Sequence, residues 1–278
     1  MGNTGGKLSP ADREFQGNRS GWNKAQKMKI KVDGSLKEIR MIVVGKMGVG
    51  KSAFCNILLS SARFRSQDSW SPVTTNVQAG CVDRGNRNIF VIDTPGFRDG
   101  EKTSDQEIVE MAGHICEHFL RISPGFHCIV LMLNADERFS REDKEIIDDV
   151  KKVFGNDVMD HMILVFTRCT SDDDLSKLTK TTDPDFKKLL EEVKGRVFAI
   201  FRDCADYEKQ ERVNSFCKMV DDLCKDIGAL YTNEMLLEAW RVVESEIKTP
   251  QDRLKIKDLQ KKIDSLHLVR YFLNLFRS

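Results

Sequence analysis

One stretch near the start of the chain carries residues suited to holding a phosphate anion. Gly45-Lys46-Met47-Gly48-Val49-Gly50-Lys51-Ser52 fits the pattern G-x-x-x-x-G-K-[ST] at every fixed position. Its glycines let the backbone wrap a polyphosphate with the amides pointing inward, and the helix that follows presents its positive end to the same anion. The Lys51 ammonium would reach the β- and γ-phosphates, and the Ser52 hydroxyl would ligate Mg²⁺.

The flanking residues give this loop the context that the pattern requires. Ile39 to Val44 form a short apolar run typical of a buried strand, and Ala53 to Leu59 show apolar residues at helical spacing. Strand, glycine loop and helix together predict a nucleotide site. We expect its contacts from Gly45, Met47, Gly48, Val49, Gly50, Lys51, Ser52 and Ala53.

A second motif follows the next buried strand, Asn88 to Ile92, as Asp93-Thr94-Pro95-Gly96. An acid at the end of an apolar strand can hold Mg²⁺ through its water shell, so Asp93 joins Ser52 as a predicted metal ligand. The amide of Gly96 would lie near the γ-phosphate. Asp and Pro-Gly also make plain turns, but the two motifs in this order strengthen each other.

Two further positions bear on the chemistry of a triphosphate. In P-loop GTPases a threonine between the first helix and the second strand senses the γ-phosphate through Mg²⁺. Thr74 is the candidate for this catalytic and metal-binding role, and Thr75 is the second candidate. Two exposed threonines at the start of a strand would give the same sequence pattern.

Phe97 stands where many GTPases place a water-orienting glutamine. A phenyl ring cannot orient water by hydrogen bonding, so we predict slow hydrolysis or help in trans.

The rest of the chain alternates strands with helices. Strands are predicted at 126–133, 161–166 and 197–201, and helices at 103–122, 140–154, 185–194 and 208–227. Ser140 is a good N-cap for the helix at 140–154, and Asp143 stands where a capping box would place its acid. The sequence therefore predicts an α/β fold of the P-loop NTPase type, a mostly parallel sheet flanked by helices.

Thr167 and Arg168 follow a strand where a guanine site reads the base, so we expect them to contact the nucleotide. Asp172 or Asp173, in the polar loop from Cys169 to Leu175, would supply the acid that reads the base.

Composition and the two ends complete the division of the chain into parts. The chain has 278 residues and a net charge of +1. Because the charge is close to neutral, it gives no reason to expect nucleic acid binding. Residues 1–36 are a polar tail, 37–230 the nucleotide-binding domain, and 231–278 a helical extension of coiled-coil type. Without an apolar signal core, we expect a cytoplasmic protein. Gly2 suggests N-terminal lipidation, and Lys24, Lys27, Lys29 and Lys31 would add an electrostatic signal for peripheral membrane association. A solvated tail is the favoured interpretation.

These motifs, together with Leu133-Asn134-Ala135-Asp136-Glu137-Arg138-Phe139-Ser140-Arg141-Glu142-Asp143, resemble the GIMAP, or immunity-associated (AIG-type), GTPases. The Arg-Phe-x-x-Glu-Asp segment is similar to that family's own box, and Phe166-Thr167-Arg168 to the start of its base motif. The resemblance implies guanine nucleotide (GTP or GDP) and Mg²⁺ binding, and nucleotide-dependent self-association as a homodimer or oligomer. Two departures concern the base: Thr170 stands at the place of the acid, and Arg202 and Asp203 at that of an asparagine pair.

Two classes of function follow from these features. One is a Mg²⁺-dependent GTPase switch with slow turnover, coupled to self-association. The other is a nucleotide-binding assembly module whose turnover is negligible. Phe97 favours slow chemistry, whereas Thr74 and Asp93 keep hydrolysis available.

Overall fold

The structure is a computed structural model, described here for residues 35–62, 64, 77–95, 115, 125–201, 204–234, 236 and 237. Its strands are β1 (Glu38–Gly45), β2 (Gln78–Asp83), β3 (Asn88–Asp93), β4 (Cys128–Asn134), β5 (Met162–Thr167) and β6 (Val197–Ala199). Its helices are α1 (Lys51–Leu59), α2 (Arg141–Phe154), a 3₁₀ helix (Asn156–His161), α3 (Asp172–Thr179), α4 (Pro184–Glu192) and α5 (Asp206–Ile227).

The six strands form one sheet in the order β2-β3-β1-β4-β5-β6. β2 pairs antiparallel with β3, and every other pairing is parallel. The predicted α/β class with a mostly parallel sheet is confirmed. Because β1 lies at the centre, the loop that follows it emerges between the ends of β3 and β4, where a doubly wound sheet opens a crevice for ligands.

Alternate residues of β1 face opposite sides of the sheet, and each side has its own apolar core. Met41 and Val43 pack with residues of α1 and α5, whereas Ile42 and Val44 pack with residues of α2 and α4. A strand covered on both faces must be apolar throughout, which is why the run before the loop shows no alternation in its sequence.

Helix α2 begins as its sequence predicts. The Ser140 hydroxyl accepts a hydrogen bond from Asp143 N, and the Asp143 carboxylate accepts one from Ser140 N at 2.8 Å. This capping box satisfies two backbone amides that would otherwise lack partners at the start of the helix. The orientation of α2 is thereby fixed beside the loop after β1.

The prediction of a polar loop from Cys169 to Leu175 is wrong. Residues from Asp172 onward form α3, because Ser171 caps the helix and its N3 residue, Asp174, completes a second capping box. Three acids in the first turn also suit the positive end of a helix. The 3₁₀ helix before β5 is not evident from the sequence either, and His161 belongs to it rather than to β5.

The chain after α5 returns to the sheet at the end where the parallel strands begin, opposite the loop that follows β1. Tyr231 pairs with Phe126 as an isolated antiparallel bridge, and its ring lies 4.9 Å from the Phe126 ring, centroid to centroid. Tyr231 and Leu236 are both buried in the core. The first residues of the predicted extension therefore pack on the nucleotide-binding domain, and the predicted boundary at residue 230 stays a prediction.

Much of the remaining extension, the N-terminal tail to residue 34 and the helix predicted at 103–122 lie outside the described residues, apart from the buried Ile115. Within the part of the chain that is described, no helix is long and apolar enough to cross a membrane.

Candidate nucleotide-binding site

The backbone of the loop after β1 adopts conformations that need glycine at two points. Gly45 has a φ of 149°, and a Cβ there would lie 2.7 Å from the carbonyl oxygen of Met132 on β4. Gly50 has a φ of 98° and caps the N-terminus of α1. A side chain at either position would strain the loop, so these glycines let the amides between them curve around an anion.

The Lys51 side chain is already folded toward this curve. Its ammonium group donates to the carbonyl oxygens of Gly45 at 3.0 Å and Lys46 at 2.8 Å, and the residue is only 6% exposed. A buried cation at the start of a helix, inside a ring of amides, attracts a negatively charged ligand. The predicted role of Lys51 in holding phosphates therefore has the geometry it requires.

Ser52 and Asp93 meet beside Lys51. The Ser52 hydroxyl donates to Asp93 Oδ2 at 2.6 Å, and Asp93 is fully buried at the end of β3. Burial raises the pKa of Asp93, although the hydrogen bond from Ser52 and the charge of Lys51 oppose that rise. No hydrogen-bond donor among the described residues reaches Asp93 Oδ1.

A buried carboxylate oxygen without a donor is costly unless something compensates its charge. Mg²⁺, bound directly or through its water, prefers oxygen ligands such as the carboxylate of Asp93 and the hydroxyl of Ser52. The residues at this corner therefore fit a magnesium ion, in keeping with the sequence prediction for both of them.

The end of β5 is joined directly to the phosphate loop. The Thr167 hydroxyl contacts the carbonyl oxygens of Val49 at 3.0 Å and Leu133 at 3.3 Å. Arg168, next along the chain, has a left-handed φ of 64° and turns the chain away from the strand. Thr167 is thereby placed next to the predicted site, and the Arg168 side chain lies exposed at the same edge.

The other predicted contacts from the loop also lie at this edge. Met47 and Gly48 are exposed at its tip, Val49 is buried beneath it, and Ala53 is half-buried in the first turn of α1. Thr74, Gly96 and Phe97, and the base-site positions Arg202 and Asp203, lie outside the described residues, so their predicted roles stay predictions.

Sequence reasoning missed a network that holds the loop from its far side. Lys46 Nζ lies 2.8 Å from Glu137 Oε2 and 3.3 Å from Asp143 Oδ2. Burial lowers the pKa of Lys46, but the hydrogen bond to Glu137 and the charge of Asp143 outweigh it and raise the pKa overall. The segment from Asn134 to Asp143 stands out in the sequence as a family box, yet spacing alone cannot show that it contacts position 46.

Asp172, the predicted base reader, already has a partner. Its Oδ1 lies 2.6 Å from Nη2 of Arg212 on α5, whose guanidinium carbon stands 3.8 Å from the centre of the Phe201 ring. Asp172 is the first residue of α3 rather than part of a polar loop, so its backbone is held by the helix. Its predicted contact with the base remains untested by this geometry.

The central phosphate loop, the buried acid at the end of β3 and the sheet order define a P-loop nucleotide-binding protein. A family model described as the AIG1 family matches residues 39–251, and the chain belongs to that family. The resemblance based on the motifs is thereby confirmed.

Curated relatives agree with this assignment. The chain is 30% identical over 196 residues to "GTPase IMAP family member 8" of Mus musculus, covering 68% of this chain and 28% of that protein. It is 28% identical over 249 residues to "Immune-associated nucleotide-binding protein 12" of Arabidopsis thaliana, covering 82% of this chain and 62% of that one. The chain thus spans less than two thirds of either relative.

Solved structures with the same fold include Toc33 from Arabidopsis thaliana. Its complex with GDP and Mg²⁺ superposes with a TM-score of 0.55 at 20% identity, covering 71% of this chain and 88% of that one. Its complex with Mg²⁺ and GMPPNP gives a TM-score of 0.54 at 19% identity, covering 71% and 89%. At this level of identity the likeness shows the fold alone.

Proposed function

We propose that this chain binds GTP and GDP together with Mg²⁺ and hydrolyses GTP slowly. The observation that carries the proposal is the corner made by Lys51, Ser52 and Asp93. A buried ammonium lies beside a buried carboxylate oxygen that lacks a donor among the described residues, at the N-terminus of α1. This arrangement suits an anion and a divalent cation bound side by side.

Guanine is proposed on the strength of the family and the names of its members. The mouse relative is called a GTPase, and the Toc33 structures hold GDP or GMPPNP with Mg²⁺. When bound, Mg²⁺ would supply positive charge that stabilises the negative charge of the phosphate groups. Ser52 and Asp93 would hold it, with Thr74 as a further ligand and Gly96 offering an amide to the γ-phosphate.

The residues of this chain would act mainly by positioning. Lys51 exchanges two carbonyl partners for phosphate oxygens, which are better acceptors for an ammonium group because they are charged. Thr167 keeps the β5 end against the loop, which supports a site for the base at this end of β5. Phe97 cannot orient an attacking water, which supports slow turnover in the isolated chain.

Self-association that depends on the nucleotide belongs to the same proposal. Dimerization is described as important for the GTPase activity of the chloroplast translocon components atToc33 and psToc159, whose solved structure shares this fold. A second copy of this chain could supply the group that orients the attacking water, which Phe97 cannot do.

The alternative function is an assembly module that binds nucleotide with negligible turnover, and Phe97 favours it as well. Cytoplasmic location and peripheral membrane association stay proposals from the sequence, as does the absence of nucleic acid among its partners.

Phosphate release under multiple turnover, measured across protein concentrations, separates the two functions. We expect a low rate per molecule that rises with protein concentration, and a larger mass by light scattering with a non-hydrolysable GTP analogue than with GDP. Lys51→Ala is the control for contaminating activity and should abolish release. A rate equal to that control at every concentration would leave the assembly module, and equal masses in both states would argue for a monomeric switch.

A further inference from the structure

The segment between β5 and α3 contains a cluster of hydrogen bonds centred on one carboxylate. Asp174 Oδ2 accepts from Thr170 N at 3.0 Å, from Thr170 Oγ1 at 2.8 Å and from Ser171 N at 3.2 Å. The side-chain and backbone bonds from Thr170, joined by those from Ser171, hold the pKa of Asp174 at about 2. Asp174 therefore stays ionised and accepts hydrogen bonds throughout the physiological range of pH.

These hydrogen bonds determine whether the Thr170 hydroxyl acts toward a ligand as a hydrogen-bond donor or as an acceptor. A hydroxyl has one hydrogen to donate and two lone pairs that accept. Because Thr170 donates its hydrogen to an ionised carboxylate, its oxygen faces a ligand as an acceptor, and the neighbouring negative charge makes it a stronger one. A free hydroxyl would instead rotate to suit either a donor or an acceptor.

Thr170 follows the end of β5, and that strand end is bonded to the phosphate loop. It follows Thr167 by three residues, and the Thr167 hydroxyl is bonded to Val49 of the loop. Asp93, the proposed metal ligand, lies on β3, on the other side of β1 from β4 and β5. With the metal ligands on the β3 side, we expect the base of a nucleotide whose phosphates sit on the loop to lie on the β5 side, where Thr170 is exposed.

Asp172, one of the two acids that the sequence offers as base reader, is engaged elsewhere. Asp172 pairs with Arg212, and the Arg212 side chain, 17% exposed, stacks over Phe201 just after β6. Moving the Asp172 carboxylate toward a base would break this contact. Thr170 needs no such movement, because Asp174 already holds its hydroxyl in one state.

We propose that Thr170, with its hydrogen committed to Asp174, is the residue that selects guanine over adenine in this chain. Guanine presents a ring N–H and an exocyclic amine on one edge, and either can donate to the Thr170 oxygen. Adenine presents a ring nitrogen lone pair at the corresponding position, so that two acceptors would face each other. This inference rests on the proposed binding of guanine nucleotides and names the residue that would read the base.

The test compares affinities for GDP and ADP, each with Mg²⁺, by calorimetry on the full chain. In Thr170→Val the hydroxyl is lost and the shape kept, so we expect GDP affinity to fall at least about tenfold and the preference over ADP to narrow by the same factor. Thr170→Ser restores a hydroxyl and should keep the wild-type preference. In Asp174→Ala the hydroxyl is released to donate, so ADP affinity should rise.

Ser171→Ala is the matched control, because it removes the bond from Asp174 N to Ser171 Oγ while leaving Thr170 bonded to Asp174. It should keep the GDP preference, as should Asp172→Ala and Asp173→Ala. An unchanged preference in Thr170→Val, or a lost preference in either aspartate variant, would overturn the assignment of Thr170 and leave guanine binding intact. A wild-type chain that binds ADP as tightly as GDP would overturn the proposed function as well.

Discussion

Lys46 and Glu137 form an ion pair of 2.8 Å that fixes the phosphate loop to the segment before α2. The Lys46 side chain is 12% exposed, and its ammonium also faces the buried carboxylate of Asp143, which caps α2. The carbonyl oxygen of the same residue accepts from Lys51. One residue thus links the family's box on one side to the predicted phosphate-binding lysine on the other.

Replacing Lys46 with Ala should weaken nucleotide binding. The change leaves the buried Asp143 without its cation close to where phosphates would bind, and it frees the loop from its anchor. We expect GDP affinity to fall about tenfold, or ~1.4 kcal/mol. Calorimetry measures it, and Lys46→Arg serves as the control that keeps the charge. Wild-type affinity in Lys46→Ala would show that the pair has no part in binding.

Replacing Lys51 with Ala should weaken nucleotide binding at least about tenfold, or ~1.4 kcal/mol. The mutation removes a charge-assisted bond to the phosphates that is partly shielded from water. Lys225→Ala, on the exposed side of α5, removes the same charge far from the loop and should bind as the wild type does. Circular dichroism verifies the fold of both variants, and a folded Lys51→Ala with unchanged affinity would refute the phosphate-loop interpretation.

Asp93→Asn should stabilise the nucleotide-free chain near neutral pH. The pKa of Asp93 is higher in the folded chain than its ordinary value of 3.8, because burial disfavours the charged form. Its ionisation therefore opposes folding. The penalty is absent well below pH 3.8, where both states are protonated, and complete above the raised pKa. We expect the melting temperature at pH 7 to rise by at least about 2 °C, with the gain disappearing in acid.

The same substitution should separate stability from binding. Asn cannot supply a charged ligand, so the strengthening of GDP binding by Mg²⁺ should fall at least about tenfold, while affinity measured with a chelator stays near that of the wild type. Asp157→Asn, an exposed acid in the 3₁₀ helix, is the control for loss of one charge. A full magnesium effect in Asp93→Asn would place the metal elsewhere.

Tyr231→Phe should lower stability without changing nucleotide affinity. The Tyr231 hydroxyl donates to the Phe154 carbonyl at the end of the sheet opposite the phosphate loop, and Tyr231 is buried. Removing the hydroxyl costs about 1 kcal/mol in the free energy of unfolding, the usual value for one hydrogen bond. Urea denaturation measures it. Tyr207→Phe, at the exposed start of α5, should leave the free energy of unfolding unchanged. An equal loss of stability in that variant would show that the buried hydrogen bond of Tyr231 is not the cause.

The sequence by itself determined the alternation of strands and helices, apart from α3 and the 3₁₀ helix, and the identity of the phosphate loop. These features depend on local rules: apolar runs bounded by glycine predict buried strands, and the loop pattern needs glycine and lysine at fixed spacing. Ser140 and Asp143 could be identified as a capping box because its two partners are three residues apart. The pairing of Ser52 with Asp93 was implied because both were predicted as ligands of one ion.

Tertiary structure alone decided the contacts between residues far apart in the chain. Lys46 meets Glu137 because β1 and β4 are neighbours in the sheet, a separation of 91 residues that no periodicity encodes. The sequence places Asp172 in a polar loop, but Ser171 and Asp174 close a helix cap there and Arg212 of α5 draws its carboxylate away. Charged side chains choose partners by distance in space and by burial, and the folded sheet sets both.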